Sequence, residues 1–247
     1  MRIVLWIFAG LVCLIPIAFI GISYLRAPSR DDMQAQKDYA LVWHNFADNR
    51  PTDIGSIEGD NANEEFVRIL ADFLNKSLGF NTRLAAVKNS MAANIQTQKL
   101  ANSQMLYELL EQQNDFISEV QAIRAEYETA ITDLITRTEA LDRAKLKIDT
   151  VSFIEGVKQN KPKDEKELDL YTNLAQNVKA LLEFVNTRNG YYQLGPDGYL
   201  RFTRPEDQEY YVKIMSLLST NFKLVADLRE QNNKSVRKFV SDMAEIK

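Results

Sequence analysis

The sequence predicts an all-α fold: an antiparallel helical bundle of long, coiled-coil-like helices with one small β-hairpin, preceded by a single transmembrane helix. Three observations point there. Residues 80–155 contain neither Gly nor Pro. Apolar residues recur along most of the chain at steps of three and four, the spacing that lines one face of an α-helix. An uncharged run of 23 residues, Ile3 to Leu25, stands at the N-terminus.

That first run is long enough to span a bilayer. At about 1.5 Å per residue it reaches roughly 34 Å, against a hydrocarbon core of about 30 Å. Arg2 and Arg26 bracket it, and Trp6 and Tyr24 suit the two interfaces. Pro16 falls mid-span, where membrane helices tolerate a kink. A cleaved signal peptide is the rival reading, but its apolar region is shorter and ends in a small-x-small site. Leu11 and Val12 precede Cys13, which does not suit a lipoprotein signal. With only Met1 and Arg2 ahead of it, the run reads as a signal anchor that exports the rest of the chain. The expected location is a bacterial inner membrane, single-pass, with the bulk of the chain periplasmic. The expected organisation is an anchor over 1–26, a membrane-proximal helix and loop over 27–62, and a bundle domain over 63–247.

From Asp31 to Asp48 a helix is expected, with Tyr39, Val42, Trp43 and Phe46 on one face. Asn49 to Ala62, with Pro51, Gly55 and Gly59, reads as a flexible loop. A short helix comes next, with Asn63 as N-cap, Phe66, Ile69, Leu70, Phe73 and Leu74 as its stripe, and Gly79 as its stop. Beyond it, Phe116, Val120, Ile123, Tyr127, Ile131, Leu134, Leu141 and Ile148 form a seam close to that of a coiled coil. Gln113, Thr138 and Lys145 are its polar members. The phase runs through Gln112 to Asp115, which favours one continuous helix over 82–155; a break at 112–115 is the alternative.

Gly156 to Lys163, with Pro162, reads as a connector. A helix over Glu165 to Asn186 then presents Leu168, Tyr171, Leu174, Val178, Leu181 and Val185. Tyr191–Leu194 and Tyr199–Phe202 flank Gly195-Pro196-Asp197-Gly198, the signature of a hairpin at about 191–202. Pro205 opens the last helix, whose stripe is Tyr211, Ile214, Leu218, Phe222, Val225, Val236, Phe239, Met243 and Ile246. Each helix is apolar along one stripe only, so the stripes must bury one another.

The order helix, Asn-Gly, short hairpin, Phe, Pro-Glu-Asp, Tyr, helix is carried by Phe184, Asn189, Gly190, Gly198, Phe202, Pro205, Glu206, Asp207 and Tyr211. It resembles the C-terminal half of an uncharacterised family of bacterial envelope proteins, the domain-of-unknown-function 3053 group. The resemblance covers only the C-terminal part of the chain. It implies an envelope location and a helical fold, and brings no activity with it.

Little in the sequence points to chemistry. His44 is the only histidine, and a metal or His-based site needs further ligands or a nucleophile. Beside Trp43 it reads as an interfacial or packing residue. Glu108 and Glu111 share a face and read as solvated. Asp53 to Glu65 has the composition of a calcium loop but not its alternating ligand spacing. Cys13 is the only cysteine and lies within the apolar run, leaving no disulfide or thiol chemistry beyond it. The net charge of −4 brings no basic cluster for nucleic acid. No catalytic, cofactor or metal site is assigned, and no cofactor is expected.

The interaction candidates are Tyr191, Tyr192, Tyr199 and Phe202 on the hairpin, either folded back as a cap on the core or presented as a recognition knob. The function expected is a non-enzymatic envelope scaffold or adaptor. Its expected partners are the membrane, through residues 3–25, and other envelope proteins or copies of itself. A ligand-binding bundle working with a partner protein is one alternative, and an envelope hydrolase is another.

Overall fold

A computed structural model describes residues 30–146 and 149–245. The apolar run Ile3 to Leu25, with Cys13, lies outside them, as do Ile148, Ile246 and the Met243 side chain. Among the described residues no helix is long and apolar enough to cross a membrane.

The described chain forms six α-helices and one two-stranded antiparallel sheet. They are α1 (Arg30–Ala47), α2 (Ala62–Asn94), α3 (Thr97–Leu100), α4 (Ser103–Glu139), α5 (Thr150–Thr187), β1 (Tyr192–Leu194), β2 (Leu200–Phe202) and α6 (Pro205–Glu245). The fold is mostly helical and bundle-like, with the hairpin where the aromatic runs predict it. It divides into two units. One is built from segments within Met1–Thr82, Ala125–Lys166 and Leu228–Lys247, the other from Arg83–Arg124 and Glu167–Asp227.

In the first unit, α1 buries Tyr39, Val42, Trp43 and Phe46, the four residues its spacing selects. Tyr39 stacks on Phe66 at 6.4 Å between ring centroids, and Phe66 meets Phe153 edge-on at 5.1 Å. Trp43 takes Phe239 edge-on at 5.0 Å. Burial pushes the Tyr39 hydroxyl well above its ordinary pKa, with the neighbouring Trp43 indole opposing. Such rings bury large apolar areas and gain further from edge-to-face geometry. The loop between α1 and α2 is not loose as expected. The Asn75 side chain both accepts from Thr52 N and donates to Thr52 O, each at 2.8 Å. Arg68 donates to the carbonyls of Ile57 and Gly59.

Four boundaries differ from the sequence expectation, each for a local reason. The N-cap of α2 is Asn61, not Asn63. Asn61 Oδ1 accepts from the amides of Asn63 and Glu64, and Glu64 Oε2 accepts from Asn61 N, a reciprocal capping box. Gly79 does not stop the helix. The buried line continues across it through Leu74, Ser77, Phe80, Asn81, Leu84, Val87 and Met91, and Gly79 sits on the exposed face. A glycine there costs about 1 kcal/mol against alanine, too little to end a well-packed helix.

The helix expected over 82–155 passes unbroken through 112–115 but is interrupted elsewhere, around the single turn of α3 and again after Glu139. Both interruptions end in a side-chain cap. Asn102 Oδ1 accepts from Gln104 N and Met105 N. Asp149 accepts from the amide and hydroxyl of Ser152, which hold its carboxyl below the ordinary range. Lys145, expected in the seam, lies in the second interruption with an exposed side chain, whereas Gln113 and Thr138 are buried as the seam requires. Finally, Gly156 to Lys163 is not a connector: α5 runs through it with Pro162 inside. Phe153, Val157, Asn160, Asp164 and Leu168 keep helical spacing and are all buried. Two of the five are polar, which hides the stripe.

The second unit packs Leu84, Val87, Met91, Leu106, Val120, Ile123, Leu174, Val178, Leu181, Val185, Leu218 and Val225. Fully burying such a side chain contributes roughly 1.5–3 kcal/mol. Gln113 is buried among them. Its Nε2 donates to Ala175 O at 2.7 Å, which offsets part of the cost of placing an amide in a core.

Candidate interaction surface

The hairpin of the second unit joins α5 to α6. Its turn is closed by Gly198 N donating to Gly195 O at 3.0 Å and Gly195 N donating to Tyr199 O at 2.7 Å. Gly198 takes φ +79°, a left-handed conformation that a side chain strains. Asp197 Oδ1 accepts from Tyr199 N, and its carboxylate pairs with Arg201. The Tyr199 amide, with Arg201 adding to it, holds the Asp197 carboxyl below its usual range. The register pairs Tyr192 with Phe202, Gln193 with Arg201 and Leu194 with Leu200.

Strand alternation divides the side chains between two faces. On the inner face Leu200 is fully buried. Phe202 meets Tyr192 and Tyr211, each at 5.3 Å, and Phe184 at 5.2 Å. The Tyr192 hydroxyl donates to Leu100 O at 3.2 Å. Burial raises the Tyr192 and Tyr211 hydroxyls above their ordinary pKa. The junction is tied beneath by Arg188 Nε donating to the buried Asp207 carboxylate at 2.9 Å, with the guanidinium 5.5 Å from the Phe184 ring centre. Gln208 Oε1 accepts from Phe202 N at 2.9 Å.

Tyr191 and Tyr199 lie on the outer face, whereas Leu194 shares the inner face with Tyr192 and Leu200 but is left half-uncovered beside the turn. Tyr191 is 50% exposed, Leu194 47% and Tyr199 57%. Arg204 lies over the Tyr191 ring at 5.5 Å. The four aromatic candidates therefore divide. Tyr192 and Phe202 belong to the cap, and Tyr191 and Tyr199 are presented. Leu194, Leu200 and Arg204 are absent from the residues the sequence singles out. The period-two alternation marks Leu200 as the inward partner of Leu194. Arg204 carries no such signal, because its place over Tyr191 depends on the strand pairing.

The remaining candidates stand apart from this surface. His44 does not pack: its side chain is exposed, with Nε2 3.8 Å from Asp48 Oδ2. It lies on the outer face of α1, opposite the buried Tyr39 and Val42, so its neighbour Trp43 points the other way. Glu108 and Glu111 are both exposed. Asp53 Oδ1 accepts from Gly55 N as the cap of a single 3-10 turn, Ile54–Ser56. Among the described residues no three His, Cys, Asp or Glu side chains are grouped to hold a metal ion.

Fold and surface together define a helical protein with an aromatic hairpin anchored on one face and exposed on the other. No family model, no curated protein and no solved structure matches the chain.

Proposed function

We propose that this protein is a non-enzymatic scaffold or adaptor that works by binding other proteins through its hairpin. In this reading residues 3–25 tether it to a bacterial inner membrane, with the helical body in the periplasm. The observation that carries the reading is the placement of Tyr191 and Tyr199, large and exposed, on a hairpin whose other face is locked to the core. Tyrosine contributes broad, fairly rigid contact area with a polar tip, and an anchored strand pair holds it at little entropic cost on binding. The uncharged run and the resemblance to an envelope family support the location.

The test is site-specific photocrosslinking in cells. A photoreactive residue at Tyr199 is expected to give a discrete adduct that the same residue at Glu108, on an exposed helix face, does not. If positions 191 and 199 yield no more adduct than 108, the binding role is wrong. Release of the full chain from membranes by an alkaline carbonate wash would remove the tether.

A further inference from the structure

The two edges of the hairpin are not equivalent. Antiparallel strands alternate between residues that bond to the neighbouring strand and residues whose backbone points away. Thr203 N donates to Tyr191 O, and Gly195 N donates to Tyr199 O. The inward-bonding pairs are therefore 191 with 203, 193 with 201, and 195 with 199. That leaves the amides and carbonyls of Tyr192 and Leu194 directed outward from β1, and those of Leu200 and Phe202 outward from β2. On β2 the outward amide of Phe202 is taken by the Gln208 side chain. On β1 no described residue takes the backbone of Tyr192 or Leu194. An open strand edge is a template for another strand, and proteins normally blunt such edges with charge, Pro or a covering element. β1 reads Tyr-Gln-Leu and carries neither charge nor Pro.

We infer that the free edge of β1 pairs with β1 of a second copy of this chain, antiparallel about a two-fold axis at Gln193. This rests on the hairpin being the binding surface, and it names the partner. Three features select a second copy. First, the edge is self-complementary. A two-fold at Gln193 sets Tyr192 opposite Leu194 of the other copy, and Leu194 opposite its Tyr192, so all four outward amides find carbonyls. Second, the side chains match: the half-exposed Leu194 comes beside the other copy's Tyr192 ring, and the uncharged Gln193 meets itself on the axis. No like charges are brought together along the strand. Third, the ends bring no like charges together, because Asp197 of the turn is already paired with Arg201. The register sets Tyr191, with Arg204 above it, opposite Gly195 of the other copy, next to the turn that carries Asp197. An isologous contact of this kind closes on itself and yields a dimer rather than a fibre.

The experiment uses the full chain in membranes with Cys13→Ser, which removes the only native cysteine. Directly opposed residues of a non-hydrogen-bonded pair have Cα atoms about 4.5 Å apart, within disulfide reach. Gln193→Cys is thus expected to form a linked dimer on mild oxidation. Arg201→Cys, one strand further from the axis on each side, lies beyond reach at roughly 14 Å and is expected to give at least about tenfold less. Leu194→Pro deletes one outward amide and leaves the β1–β2 ladder intact, because that ladder uses residues 193 and 195. Added to Gln193→Cys, it is expected to cut the linked dimer about tenfold with helical circular dichroism unchanged; Leu194→Ala, which keeps the amide, is expected to retain most of it. Equal crosslinking at 193 and 201, or a dimer that survives Leu194→Pro, overturns the inference. Should that happen while Tyr199 still gives an adduct with a different protein, only the self-pairing falls. Should Tyr199 also give none, the binding role falls with it.

Discussion

Two glycines separate conformation from space. An added Cβ meets nothing within 4 Å at Gly79 or at Gly198. Gly79 lies inside α2 with helical dihedrals, whereas Gly198 holds φ +79° in the hairpin turn. Gly79→Ala removes the excess backbone freedom of glycine from the unfolded chain and finds no steric cost in the folded one. It is expected to stabilise by about 0.5–1 kcal/mol. At roughly 2–4 °C per kcal/mol for a chain of this size, the melting temperature rises by about 1–4 °C. Gly198→Ala gains the same entropy but forces a side chain into the left-handed region, at about 1–2 kcal/mol. Its expected net effect is a loss of up to about 1.5 kcal/mol. Urea titration followed by helical circular dichroism gives both values, and an unchanged slope shows that the unfolded state is not the cause. If Gly79 ended a helix in a left-handed cap, Gly79→Ala would destabilise. That result would refute a continuous α2.

The same packing sets other outcomes. Leu200→Ala should cost about 2–5 kcal/mol, as for a fully buried leucine, while its neighbour Tyr199→Ala stays within about 0.5 kcal/mol; equal shifts in thermal unfolding would mean that the hairpin does not dock. Asp207→Asn keeps the shape but loses the charge facing Arg188, and a destabilisation of about 1–2 kcal/mol is expected in urea, moderated because Arg188 is partly exposed. Glu119 accepts from Arg83 Nε at 2.6 Å, and that hydrogen bond holds its carboxyl below the ordinary value of 4.5. A depressed folded-state pKa contributes stability that is present above the unfolded value and lost as pH falls through the folded one. The urea midpoint should therefore drop below about pH 4.5, and by less in Glu119→Gln. An equal drop in both would exclude the pair as a source of acid sensitivity.

Apolar spacing made most of the helices legible. Tyr39, Val42, Trp43 and Phe46 are buried as a set, and so are Leu168, Tyr171, Leu174, Val178, Leu181 and Val185. The boundaries are less legible, because a Gly or Pro in the sequence shows nothing of the packing around it. Gly79 and Pro162 look like stops, yet burial of the flanking turns outweighs a local cost of about 1–3 kcal/mol. The true interruptions carry neither residue. They are marked by Asn102 and Asp149, whose caps show only once the amides they accept from are placed. The hairpin was legible from its turn and aromatic runs, and its division into anchored and presented faces comes from alternation. The difference between the two hairpin edges was not legible, since it depends on Gln208 reaching back from α6 to cover β2.

In α6 the buried line through Val225, Arg229, Asn232 and Val236 carries a guanidinium and an amide where aliphatic residues would be expected. A greasy line unbroken along its length would fit its surroundings almost as well after sliding by whole turns. Displacing α6 by seven residues would drive the Arg229 cation into the slot shaped for Val236 and pull it from the Asn81 carbonyl toward which Nη2 points, a penalty of several kcal/mol. The polar pair thus works as a key in a keyway: it gives up some adhesion so that the long rod locks at one axial position.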